Sequence, residues 1–78
     1  MLSLGSSGAP DSFWKKFISV NQEVRGGKPC ISGTRMAVVD VLSYFATGYT
    51  MEQFLDEFQH ITKDQVLACF SYAAENLY

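Results

Sequence analysis

The sequence predicts a mainly α fold in which a short β arm precedes three helices, the last two arranged as a helix-turn-helix. Three observations predict it. Apolar residues recur at three- and four-residue spacing from Val38 to Ala46. Two Thr-x-x-Gln stretches, beginning at Thr50 and Thr62, each open a further apolar-periodic segment. Ahead of all three lies a run dense in turn formers, Asn21 to Gly33, flanked by short β-branched segments.

Each element has its own signal. Residues 1–12 are poor in apolar groups after Leu4, and Gly5-Ser6-Ser7-Gly8-Ala9-Pro10 reads as a flexible tail. Residues 13–78 read as a single domain. Its β arm, 13–37, opens with Phe13, Trp14 and Phe17 around Lys15 and Lys16, either packed on the core or presented to a partner. Phe17 to Val20 reads as a strand, and Cys30-Ile31 and Thr34 to Val38 have extended character.

Helices are expected at about 38–47, 51–58 and 63–76. The first buries Val38, Val41, Leu42 and Phe45, and Gly48 stands where a left-handed cap ends it. The second begins at the Thr50–Gln53 capping box and buries Phe54, Leu55 and Phe58. The third begins at Thr62–Gln65 and is expected to bury Val66, Phe70, Ala73 and Leu77, with Leu67 and Ala74 beside them. In each box the Thr oxygen accepts an orphan N–H while Gln reaches back to the cap. A plain three-helix bundle with short loops fits the periodicity equally well.

Length and charge bound the function. A chain of 78 residues is one small domain, and its 47% hydrophobic content excludes full-length disorder. So short a chain is expected to gain from a second subunit. The net charge of −2 excludes a simple polycation, but it is unevenly distributed. Residues 1–35 carry Lys15, Lys16, Arg25, Lys28 and Arg35 against Asp11 and Glu23. Residues 36–78 carry only Lys63 against Asp40, Glu52, Asp56, Glu57, Asp64 and Glu75.

Cys30 and Cys69 are too few for a disulfide scaffold and lack partners at metal-ligand spacing, so both are expected as reduced core thiols and no metal or cofactor is expected. The sequence shows no membrane span or secretory signal, which points to a cytoplasmic protein. An enzyme is not expected. His60 stands alone in a turn, Cys69 is mid-helix, and the adjacent Asp56 and Glu57 point different ways.

The stretch from Val24 to Arg35 is the most distinctive. Gly26, Gly27 and Gly33 permit positive φ, with Pro29 and Thr34 completing the loop framework. Such a loop can expose backbone N–H groups to a phosphate, with Arg25, Lys28 and Arg35 supplying charge. It is not a Walker loop, because Pro29 and not Ser or Thr follows Gly-Lys. A structural turn pair is the alternative reading.

The run Asn21 to Val38, with Gly26-Gly27-Lys28-Pro29 and Gly33-Thr34-Arg35, resembles the signature of the family known as domain of unknown function 433. The similarity continues through Asp40-Val41-Leu42, Ala46-Thr47-Gly48, Glu52-Gln53-Phe54-Leu55, Phe58, Ile61-Thr62 and Tyr72-Ala73-Ala74-Glu75, over about residues 18–75. The resemblance implies a homeodomain-like helix-turn-helix domain with an N-terminal β extension. It further implies an antitoxin of a type II toxin–antitoxin pair, acting as a homodimer, binding promoter DNA and partnering a PIN-like ribonuclease. It implies no enzymatic activity. The sequence ends at Tyr78 without a long C-terminal tail, so the expectation is either that toxin contact lies elsewhere or that the chain is a standalone protein or a fragment.

The third helix offers a major groove little: Gln65 and Ser71 could touch bases, but Lys63 lies beside Asp64 and no Arg is present for guanine. The basic face is therefore expected on Lys15, Lys16, Arg25, Lys28 and Arg35, where it would meet DNA phosphate or an acidic protein surface. A protein-interaction module without DNA contact is the alternative.

Overall fold

A computed structural model describes residues 13–76. The tail expected over residues 1–12, and Leu77 at the end of the third helix, lie outside the described residues. Phe13–Lys16 form one 3-10 turn, followed by β1 (Ile18–Ser19), a tight turn at Arg25–Gly27 and β2 (Cys30–Ile31). Three helices complete the fold: α1 (Val38–Ala46), α2 (Met51–Glu57) and α3 (Lys63–Glu75). The fold is thus mainly helical, with a two-stranded antiparallel sheet on its N-terminal side, as the sequence predicts.

The sheet is shorter than expected. Ile18 pairs with Ile31 and Ser19 with Cys30, and no further. The Phe17 N–H is drawn back into the 3-10 turn by the Trp14 carbonyl at 2.9 Å. Beyond β1, Asn21 turns the chain at once, its side-chain oxygen accepting from the Glu23 N–H at 2.8 Å. Of the extended stretch expected from Thr34 to Val38, only Ala37 bridges to Cys30. Thr34 explains this: its hydroxyl donates to the Ile31 carbonyl at 2.8 Å and accepts from the Met36 N–H at 3.0 Å, closing a turn.

Both predicted capping boxes form. The Thr50 hydroxyl accepts from the Gln53 N–H at 3.1 Å while Gln53 Oε1 accepts from the Thr50 N–H at 2.9 Å. Thr62 and Gln65 repeat this at 3.2 and 2.8 Å. Gly48 closes α1 at φ 105°, donating its N–H to the Phe45 carbonyl.

The core comprises Ile18, Ile31, Val38, Val41, Phe54, Ile61, Val66, Ala68 and Cys69. Phe54 is fully buried and stacks on Phe45 at 5.3 Å, with Tyr44 and Phe58 close by. Leu42, Phe45, Leu55 and Phe58 are only partly buried around it.

The buried stripe of α3 differs from the expected one. Val66, Ala68 and Cys69 are buried, whereas Phe70 is 37% exposed and Leu67 40% exposed. The reason is the arm. α3 packs on the 3-10 turn and β1 as well as on α1. Trp14 stands edge-on to Tyr72 at 4.8 Å, which turns the Ala68–Tyr72 side of α3 inward and rolls Phe70 outward. The small residues Ala68 and Cys69 permit this close approach.

Candidate nucleic-acid interface

The basic loop is built by the turn geometry of residues 21–37. Gly26, Gly27 and Gly33 have φ of 67°, 90° and 80°. At Gly27 a Cβ would meet only the far end of the exposed Gln22 side chain, so glycine is wanted there for its conformation. The Pro29 carbonyl accepts from the Val38 N–H at 2.9 Å and pins the loop to the start of α1. The loop glycines, Pro29 and Thr34 thus all serve the turn framework.

Arg25 is engaged within the chain through one nitrogen of its guanidinium. Its Nη1 lies 2.9 Å from Asp40 Oδ2 and 2.9 Å from the Arg35 carbonyl oxygen. Its backbone has φ 52°, uncommon for a residue with a Cβ. Asp40 also accepts from the Ala37 N–H at 3.3 Å, completing half of a capping arrangement that Ala37 itself cannot make. The Arg25 hydrogen bond, aided by Ala37, holds the Asp40 carboxyl below its usual range against the opposing effect of burial. Asp40 is the residue that sequence reasoning counted only as charge. An acid at the third position of a helix, fifteen residues after an Arg in a Gly-rich loop, was the available signal.

The other four predicted cations remain at the surface. Lys15, Lys16, Lys28 and Arg35 are exposed, and none makes an ion pair among the described residues. Lys15 Nζ lies 5.9 Å from the Trp14 ring centroid. Arg35 borders a cleft of about 370 Å³ with Ser19, Asn21, Gly33 and Thr34. Lys28 borders a more apolar groove of about 430 Å³ with Pro29, Val39, Leu42, Tyr72 and Asn76. The structure therefore distributes the cations over the 3-10 turn and two sides of one loop.

The opposite chemistry lies at α2. Tyr49 donates its hydroxyl to Glu57 Oε1 at 2.6 Å beside a shallow cleft lined by Gln53 and Asp56. That hydrogen bond holds the Tyr49 phenol protonated above its usual range. Among the described residues, no group of three or more His, Cys, Asp or Glu side chains is placed to hold a metal ion. No helix among them is long and apolar enough to cross a membrane.

Comparison with known proteins places this loop and these helices in a wider set. The chain is 26% identical over 62 residues to "Uncharacterized protein y4eO" of Sinorhizobium fredii (strain NBRC 101917 / NGR234), covering 80% of this chain and 28% of that protein. It therefore spans less than a third of the length of that relative. The crystal structure of a DUF433 member protein from Anabaena variabilis ATCC 29413 superposes with a TM-score of 0.72 at 25% identity, covering 76% of this chain and 58% of that one. The family model described as "Protein of unknown function (DUF433)" matches residues 18–73, from the first strand through most of α3, and the chain belongs to that family.

Proposed function

We propose that the chain is an antitoxin-like, DNA-binding regulator that acts as a homodimer and has a PIN-like ribonuclease as its protein partner. Phosphate contact falls to the basic loop and not to α3. One observation carries this reading: the exposed Arg35 guanidinium has no partner among the described residues and borders a cleft whose lining mixes Ser19, Asn21 and Thr34 with Val24 and Cys30. A planar fork with no partner of its own suits a phosphate oxygen pair. Lys28, Lys15 and Lys16 add diffuse charge, and a two-fold pair presents each of them twice. In this reading α2 and α3 form a helix-turn-helix that serves as scaffold. The outward positions of α3 include Lys63, Asp64, Leu67 and Phe70, and the helix has no Arg for guanine. The activity is binding, with no turnover.

Fluorescence anisotropy with DNA from the chain's own promoter tests the proposal. Specific binding is expected, with Arg35→Ala weakening it and lowering the salt slope by about 1. A folded protein that binds no DNA at low salt sinks the regulator reading.

A second reading is a protein-interaction module without DNA contact. The acidic run of α2 (Glu52, Asp56 and Glu57, all exposed) favours it, because such a surface repels phosphate. Co-expression with the adjacent gene product and a pull-down separates the two, and failure to co-purify counts against this one.

A further inference from the structure

The outward side of α1 and α3 is a face whose middle carries no charge. On α3, no charged residue occurs from Gln65 to Ala74. Leu67, Phe70 and Ala74 follow helical spacing along its outer side, with Leu67 40% and Phe70 37% exposed. Phe70 packs edge-on against Phe45 of α1 at 5.1 Å, which joins the two helices into one surface. Val39, 52% exposed, and Leu42 of α1 line, with Tyr72 and Ala73, a separate apolar groove between the two helices. Contiguous apolar patches on a protein surface mark association sites.

We infer that this face is covered by a second copy of the chain, with the two α3 helices antiparallel about a two-fold axis near Phe70. The inference rests on the homodimer in the reading above and names its face. Two features single out a second copy as occupant. The first is shape: antiparallel pairing about Phe70 sets the projecting Leu67 of each copy beside the small Ala73 and Ala74 of the other, so each copy offers both the large and the small side chains that an isologous contact requires. The second is charge. Lys63 opens α3, at the end where a cation opposes the helix dipole, and no basic residue stands in the last turn. Lys63 lies seven residues before Phe70, about 10 Å along the helix at 1.5 Å per residue, and Asn76 lies six residues after it. Antiparallel pairing about Phe70 therefore brings each Lys63 to the carbonyl-rich end of the partner helix. With α3 in such an interface, it is not available to enter a major groove, which agrees with its lack of an Arg for guanine.

Sedimentation velocity of the full chain over a wide concentration range, with and without substitutions, tests the inference. Wild-type protein is expected to dimerise. Leu67→Glu should weaken self-association about tenfold or more while circular dichroism stays unchanged, because it buries a charge. Lys63→Glu should weaken it by a smaller factor. Phe70→Cys should form an intermolecular disulfide under mild oxidation, since a residue on the axis meets its own copy and both native cysteines are buried. Val20→Cys, exposed but off this face, should not. A folded protein that is monomeric throughout overturns the inference, as does a dimer that survives Leu67→Glu and does not cross-link through Phe70→Cys. A monomer that still binds promoter DNA sinks the dimer face alone. A Leu67→Glu-sensitive dimer that binds no DNA sinks the DNA reading alone.

Discussion

Arg25 Nη1 sits 2.9 Å from Asp40 Oδ2 and so ties the Gly-rich loop to the first turn of α1. The same nitrogen donates to the Arg35 carbonyl. One guanidinium thus holds together a left-handed residue, a helix start and the backbone of the neighbouring cation. Arg25→Ala is expected to cost about 1 kcal/mol, the upper end for a partly exposed pair. The folded-state pKa of Asp40 is depressed, so the pair's contribution is present above the unfolded carboxylate pKa and is lost as pH falls through the folded value. Urea unfolding from neutral to acid pH should therefore show stability falling on the acid side in wild type. Asp40→Asn should flatten part of that fall, and an unchanged pH profile would show that the pair adds nothing.

Phe54 and Phe70 make a paired test of the core. Phe54 is 0% exposed among three aromatic rings, and Phe54→Ala should cost about 3–5 kcal/mol. Phe70 is 37% exposed and has one ring partner among the described residues, so Phe70→Ala should cost roughly 1 kcal/mol in the monomer. Chemical denaturation at low protein concentration separates them. Equal losses would contradict the outward placement of Phe70.

Cys69 is fully buried, and burial pushes its thiol up to about 12. At neutral pH it is therefore protonated, and its alkylation requires unfolding. In native buffer, iodoacetamide labelling of Cys69 should proceed at the rate of global opening and accelerate steeply with urea. Labelling at a free-thiol rate without denaturant would show that α3 opens locally.

Thr62→Ala removes the acceptor for the Gln65 N–H and should cost about 1 kcal/mol. Thr62→Ser should recover most of it, because the hydroxyl is retained. Thermal unfolding followed by circular dichroism measures both, and an equal loss for Ser and Ala would assign the effect to the Thr methyl group.

The helices were the most legible part of the sequence, because their signals are local. Thr50, Gln53, Thr62 and Gln65 lie within one turn of each other, and the bonds they make depend on no distant residue. Gly48 likewise ends α1 through its own φ. The strands were read too long, because their extent depends on turns made by Asn21 and Thr34. The loop was recognised as basic and glycine-rich, yet the five cations of the arm and loop could not be sorted by charge alone.

The sequence by itself determined the helix order, the caps and the residues of a loop that must turn through positive φ. Each follows from short-range hydrogen bonding and steric limits. Only the tertiary structure decided which residues are spent on the fold and which face outward. Arg25 is tied to the fold through Nη1 because Asp40, fifteen residues on, folds back beside it. Phe70 leaves the core because the arm, through Trp14 and Tyr72, claims the other side of α3. Periodicity marks the apolar positions of a helix, but the side it buries is set by whatever packs against it, and that partner lies far away in the chain.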